Sequence, residues 1–184
     1  MNPLPYLTAL ACLSLGLCFT PAHAAEAGPE ANPAGTAELS QLAFLAGGEW
    51  EAKLPASPDG KAMSIRARFS WAENHRAIRI SNAWVMDGKP SPYLDGLYTW
   101  HPGKKAIVFW YTDAQGGVYE GTVVRDAGAL VHDFQITEAT GHAKTYVARM
   151  TPDGADAWGN EILERQAGKL QPLVKVRYER VKVR

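Results

Sequence analysis

Glycine-containing turns recur along most of this 184-residue chain and separate segments in which apolar and polar residues alternate. A glycine readily takes the positive φ that a tight hairpin requires, so each of these turns indicates a place where one strand leads into the next. The turns follow one another at intervals of about thirteen residues, which fits one strand plus one hairpin. They are Asp87-Gly88, Pro102-Gly103, Gly116-Gly117, Ala127-Gly128, Thr140-Gly141, Asp153-Gly154 and Ala167-Gly168. This regular spacing predicts a meander of antiparallel strands.

The alternation is clearest between Met63 and Trp71, where apolar residues are separated by serine and arginine. A period of two is typical of a half-buried strand. Ten strands are predicted, at residues 48–54, 62–72, 76–86, 93–101, 105–112, 117–125, 129–138, 142–151, 155–164 and 172–182. The connections leave no room for crossover helices, which excludes a parallel sheet, and a long meander removes its unpaired edges by closing. We therefore predict an all-β fold, an antiparallel up-and-down β-barrel of about ten strands.

One short helix is predicted before the first strand. Thr36 is a candidate N-cap, Leu39 and Leu42 fall on one helical face, and Gly47 or Gly48 ends the helix. The residues just before it are rich in alanine, proline and glycine, which is typical of a disordered leader. The predicted organisation is a signal peptide at 1–24, the leader at 25–38 and the β-barrel domain at 39–184.

The first 24 residues have the features of a secretory signal peptide. An uncharged apolar run from Leu7 to Phe19 is followed by an A-x-A cleavage site that ends at Ala24. The run is too short for a membrane-spanning helix, which needs about 20 apolar residues, so we expect no stable membrane insertion. Both cysteines, Cys12 and Cys18, lie in the removed segment, which excludes a disulfide or a thiolate metal site in the mature chain. The expected location is periplasmic or secreted.

The charge balance argues against a dedicated nucleic-acid binder. The chain has 19 Lys+Arg and 19 Asp+Glu and a formal net charge of +0, whereas such binders are normally basic. We expect a small apolar molecule as the partner, no nucleic acid, and a monomer or homodimer.

The start of the first strand resembles a known family. Leu45-Ala-Gly-Gly48-Glu-Trp50 is similar to the G-x-W signature of lipocalins and related calycins, and the run from Trp71 to Phe109 resembles bacterial lipocalin-like proteins of the DUF1579 type. The resemblance implies that Trp50 packs across the closed end of a barrel, beneath Arg177 or Arg180 of the last strand. Haem-binding barrels of the nitrobindin type carry further glycines after the tryptophan, which this chain lacks, so no cofactor is expected.

His132 is the histidine that the alternation places inside the barrel, in phase with Leu130, Phe134 and Ile136. One interpretation is an interior histidine bonded to a neighbouring strand, and the other is a ligand contact or a general acid or base, because imidazole titrates near neutral pH. No histidine pair has metal-ligand spacing, so no metal site is predicted.

Two asparagines also interrupt inward-facing apolar positions. Asn82 lies between Ile80 and Trp84, and Asn160 lies between Trp158 and Ile162. A buried amide needs a partner, which is either a structural network with ordered water or a ligand.

Aromatic residues crowd three consecutive strands, namely Tyr98, Trp100, Trp110, Tyr111 and Tyr119. If most of them share a face, they either line a cavity, form an exposed platform or fill an ordinary core. A ten-stranded barrel is wide enough to favour a cavity. The candidate ligand-binding residues are Asn82, Trp84, Trp110, His132 and Asn160.

These residues lead to one functional hypothesis and two alternatives. The first is an exported lipocalin-like protein that binds a small hydrophobic or aromatic molecule in the barrel interior. The second is a small-molecule isomerase, cyclase or hydrolase that uses His132 as its general acid or base. The third is an envelope glycan-binding module that presents Trp100 and Tyr98. The sequence contains no nucleophile motif that would favour the second.

Overall fold

The computed structural model describes residues 34–182. The predicted signal peptide and most of the predicted leader therefore lie outside the described residues. Within the described part, the chain is nearly all β and closes into a ten-stranded antiparallel barrel, which confirms the predicted fold class. Each strand pairs with its neighbours in sequence, and the last strand returns to pair with the first.

All ten predicted strands are present. They are β1 (Gly48–Leu54), β2 (Met63–Trp71), β3 (Ala77–Met86), β4 (Lys89–His101), β5 (Ala106–Asp113), β6 (Val118–Asp126), β7 (Ala129–Thr137), β8 (Ala143–Pro152), β9 (Ala157–Gln166) and β10 (Lys169–Arg180).

Strands β4 and β10 begin three or four residues earlier than the sequence predicted. The preceding hairpins are two-residue turns with both residues at positive φ, Asp87-Gly88 and Ala167-Gly168, so the next strand starts at once. Both segments contain proline, which donates no backbone hydrogen bond. Register shifts beside Pro92 and Pro172 accommodate them.

One predicted turn uses a different residue. The hairpin between β4 and β5 was expected to rely on Gly103, but Lys105 takes the left-handed conformation there, with φ 49°. The two-residue turn that the sequence suggested is thus a longer connection, from Pro102 to Lys105.

The helix before β1 begins earlier and is shorter than predicted, so Thr36 lies within it and the predicted N-cap is wrong. Helix α1 spans Ala34–Leu39 and tightens into a 3-10 turn at Ser40–Leu42. Leu39, Leu42 and Leu45 are completely buried in the same core cluster as Trp50, so this segment covers one end of the barrel. In the described part of the chain, no helix has the length and apolar character needed to cross a membrane.

Candidate functional site at the open end of the barrel

The end of the barrel beneath α1 is filled with aromatic rings, and we call it the closed end. Trp158 stacks on Tyr178 with ring centroids 4.0 Å apart, and it meets Trp50 and Phe69 edge-on at 6.3 Å. These four side chains are buried. The closed end therefore leaves no room for a ligand.

Arg180 holds the closed end together from β10. Its guanidinium carbon lies 4.2 Å from the centroid of the Trp50 ring, and Nη2 donates to the carbonyl oxygens of Phe44 and Ala155. A Cβ atom at Gly48 would lie 2.3 Å from Arg180 Nη1, which explains the glycine of the G-x-W segment. Of the two arginines that the sequence suggested, Arg180 is the one over Trp50.

At the opposite end, inward-facing side chains are accessible to solvent. Trp84 of β3 is 36% exposed and Val174 of β10 is 41% exposed, although the strand registers direct both toward the interior. The inward-facing side chains next to them are half-buried, unlike their counterparts at the closed end. Water therefore reaches the interior from this end. We call this accessible part of the interior the cup, and its wall includes Ile65, Trp84, Phe134, Ile162, Val174 and Val176.

A hydrogen-bonded chain of polar side chains lies on the β4–β6 side of the cup. The Tyr93 and Tyr119 hydroxyl oxygens are 3.0 Å apart, and the Tyr119 hydroxyl donates to Asp113 Oδ2 at 3.1 Å. Asp113 Oδ1 in turn accepts from the backbone N–H groups of Gln115 and Gly117. Burial, together with these hydrogen bonds, raises the pKa of Tyr119, so it remains a neutral donor.

A β-bulge directs Tyr93 into this chain. Asn82 pairs with Leu94 and the next residue of β3 pairs with Pro92, which leaves Tyr93 as the extra residue. Its ring packs against the core and meets Trp84 at 5.5 Å. Sequence alternation missed Tyr93 because a bulge shifts the phase of a strand by one residue.

The floor of the cup is formed by His132 and tyrosines from other strands. The Tyr98 hydroxyl lies 3.1 Å from His132 Nε2, and His132 Nδ1 lies 3.3 Å from the Leu130 carbonyl oxygen. Since a carbonyl only accepts, we assign the proton to Nδ1, and Tyr98 donates to Nε2. Burial lowers the pKa of His132 to about 4, so the imidazole is neutral at pH 7.

This arrangement argues against His132 as a general acid or base. Both ring nitrogens are engaged, and the side chain is packed between the rings of Tyr98 and Phe109. A proton-transfer group needs a free nitrogen within reach of substrate and a pKa near the operating pH. The geometry favours the other interpretation from the sequence, an interior histidine bonded to its neighbours.

Buried polar atoms without protein partners are present in the interior. They include Asn82 Oδ1, Tyr111 Oη and Trp158 Nε1, none of which has a hydrogen-bond partner among residues 34–182. An unpaired buried polar atom costs about 1–3 kcal/mol. Ordered water or a ligand would remove that cost.

Four of the five candidate ligand-binding residues lie on the inner face. Asn82 and Trp84 of β3, His132 of β7 and Asn160 of β9 are all in the inward phase of their strands. Trp110 is not, because its β4 partner is Leu97 and both lie on the outer face, where Trp110 is 49% exposed. The expected interior position of Trp110 is therefore wrong.

The other crowded aromatics face inward. Tyr98 is buried, and Trp100 and Tyr119 pack against the core from the inner side. Neither Tyr98 nor Trp100 is presented on the outer surface, which removes the platform on which the glycan-binding alternative depended.

Besides Asp113, two further charged residues of the cup were not among the sequence candidates. Lys144 of β8 and Glu164 of β9 follow the inward phase, and Lys144 Nζ lies 3.6 Å from Glu164 Oε1. The alternation of Tyr146, Ala148 and Met150 extends back to Lys144, so the signal was present in the sequence. Within residues 34–182, no three His, Cys, Asp or Glu side chains come together as a metal site requires.

Comparisons with known proteins do not add a family to this geometry. Neither the protein-family models nor the curated proteins include a match to the chain.

Proposed function

We propose that this protein binds a small apolar or aromatic molecule in the cup. The observation that carries the proposal is the contrast between a solid closed end and an open end whose inward-facing apolar side chains are accessible to water. Exposed apolar surface in a concavity, with a few polar groups around it, is the usual form of a small-molecule site. Trp84 and Phe134 supply the aromatic wall, and Asn82 and Asn160 supply polar groups within it.

We also propose that the chain is an exported, lipocalin-like protein. Residues 1–24 support export through their apolar run and cleavage site, and N-terminal sequencing of the mature protein should begin at Ala25. The contact of Arg180 with Trp50, above Gly48, is the arrangement that the resemblance implies.

A matched pair of substitutions on one strand tests binding in the cup. Ile162 faces the interior and Leu163, the next residue, faces outward. Ile162→Trp should fill the cup and weaken binding of 2-ethylnaphthalene at least tenfold in equilibrium dialysis, whereas Leu163→Trp should leave it unchanged. Native mass spectrometry of the protein from its own cells should show a retained small mass that Ile162→Trp removes.

Two results would contradict the proposal. If wild type neither retains a mass nor binds the probe, the cup is not a binding site. If both variants bind as tightly as wild type, the probe binds elsewhere on the molecule.

A further inference from the structure

The floor of the cup brings together hydroxyl groups from opposite sides of the barrel. Tyr98 of β4 reaches His132 of β7, and its ring lies 5.5 Å from that of Tyr111 on β5. Tyr178 of β10 is near enough for Tyr98 to contribute, after burial, to its raised pKa. The buried interior beneath the cup therefore carries phenolic hydroxyls among its apolar rings.

One hydrogen-bond donor on the floor, the Tyr111 hydroxyl, has no acceptor in regular geometry. Tyr98 uses its proton on His132 Nε2, and the other imidazole nitrogen is engaged by the backbone. The Tyr111 hydroxyl lies close to Tyr98 but makes no hydrogen bond of regular geometry, although Tyr111 is only 7% exposed. A buried hydroxyl in this state gains from any acceptor that comes within reach.

The backbone opposite Tyr111 keeps its ring in place. Gly96 pairs with Tyr111 across β4 and β5, and a Cβ atom at Gly96 would lie 2.5 Å from Tyr111 Cδ1. The ring therefore occupies space that a side chain at position 96 would need. This fixed position suits a donor that must meet a ligand atom in one geometry.

The floor carries no formal charge. The pKa of His132 is lowered to about 4 by burial, and burial raises the pKa values of Tyr98 and Tyr111, so all three are neutral at pH 7. The charged groups of the cup are paired or fixed elsewhere, with Lys144 beside Glu164 and Asp113 at the end of the tyrosine chain. A carboxylate placed on this floor would lose its hydration without gaining a cation.

We infer that the floor binds a neutral oxygen acceptor of the ligand, with Tyr111 as the donor. The ligand class is then an apolar or aromatic molecule that carries a carbonyl group, such as a ketone, aldehyde, ester or quinone. This inference rests on the proposed function, since it concerns the molecule that occupies the cup.

Three probes of similar shape test the inference, namely 2-acetylnaphthalene, 2-ethylnaphthalene and 2-naphthoate. Tyr111→Phe should weaken binding of the ketone about tenfold, the value of one hydrogen bond, and leave binding of the hydrocarbon unchanged. The carbonyl stretch of the bound ketone should shift to lower frequency in wild type. In Tyr111→Phe it should return to the frequency of a carbonyl that accepts no hydrogen bond. The variant should fold normally, because the hydroxyl it loses makes no hydrogen bond of regular geometry with the protein.

Tyr146→Phe is the matched control, because Tyr146 also faces the interior but stacks on Phe134 of the wall. It should change neither probe affinity nor the carbonyl stretch. If ketone and hydrocarbon both bind but Tyr111→Phe affects them equally or not at all, the inference is wrong and interior binding stands. Tighter binding of 2-naphthoate than of the ketone would also overturn it. If no probe binds, the proposed function fails and the inference fails with it.

Discussion

Trp50 and Trp84 both point into the barrel, yet one is completely buried and the other is more than a third exposed. Trp50 lies at the closed end, where its indole N–H donates to the Leu45 carbonyl oxygen and Arg180 covers its ring. Trp84 lies at the open end and contacts Tyr93, and its other side faces solvent. The comparison shows that one barrel is packed solid at one end and open to water at the other.

The largest expected effect is at the closed end. Trp50→Ala should lower the free energy of unfolding by about 3–5 kcal/mol, because it removes a fully buried ring from a cluster of aromatic side chains. Urea denaturation followed by circular dichroism measures this loss.

Trp84→Ala is the matched control for that substitution at the open end. It should cost about 1 kcal/mol or less in stability and weaken binding of 2-ethylnaphthalene severalfold. Equal losses of stability in the two variants would show that the two ends do not divide these roles.

The pH dependence of stability should report the buried His132 on the floor of the cup. The imidazole takes up a proton near pH 6.5 in the unfolded chain but only near pH 4 in the folded barrel. The unfolded state therefore binds more protons between these values, and the free energy of unfolding falls as the pH drops from 6.5 to 4. This pKa difference corresponds to a loss on the order of 3 kcal/mol.

Urea denaturation of wild type and His132→Gln across this pH range isolates the contribution of the histidine. Carboxyl groups titrate in both proteins. The quantity to compare is therefore the difference between the two proteins in the slope of the free energy of unfolding against pH. Parallel slopes would mean that His132 is protonated as easily in the folded barrel as in the unfolded chain.

Substitution of Arg180 should have a smaller effect on stability, and that effect should depend on the planar shape of the guanidinium group. Arg180→Ala removes the contact with the Trp50 ring, two hydrogen bonds to backbone carbonyls and the ion pair with Asp156, and should cost about 1–3 kcal/mol. Arg180→Lys should not restore the loss, because an ammonium cannot stack on the ring and reach both carbonyls at once. Thermal denaturation of the two variants provides the test, and full rescue by lysine would reduce the role of Arg180 to its charge.

The smallest effect is expected outside the barrel, at Trp110. Trp110→Ala should change stability by less than about 0.5 kcal/mol, because half of the side chain is already in water. It should leave binding of 2-ethylnaphthalene unchanged in equilibrium dialysis. A loss of affinity as large as that of Trp84→Ala would return Trp110 to the binding site.

The difference between Trp110 and His132 shows what the sequence could predict. His132 lies in a segment where apolar and polar residues alternate, so its inward phase was readable. Trp110 lies in the continuous apolar run from Ile107 to Tyr111, which contains no contrast from which to read a phase. Its direction is set by the register with β4, in which Gly96 pairs with Tyr111.

The other residues of the site could not be predicted from the alternation of apolar and polar residues. Tyr93 enters the cup through a bulge, and the sequence shows only two prolines before it, Pro90 and Pro92. Lys144 and Glu164 were in phase, but charged residues at strand ends are normally assigned to the solvent face. The partners of Tyr98 and Asp113 come from other strands or from turn backbones, and such contacts follow from closure of the barrel.

That closure also has a consequence for the kinetics of folding. Nine of the ten strand pairings join neighbours in sequence, whereas β1 and β10 meet through the short register of Trp50 with Arg180 and Glu51 with Glu179. Arg180 also bonds to the carbonyl of Phe44, 136 residues earlier. Hairpins form within microseconds, but joining two distant segments carries a loop-closure entropy that is overcome late. We expect the β1–β10 seam to have φ-values near zero, so that substitutions in it speed unfolding and leave the refolding rate unchanged.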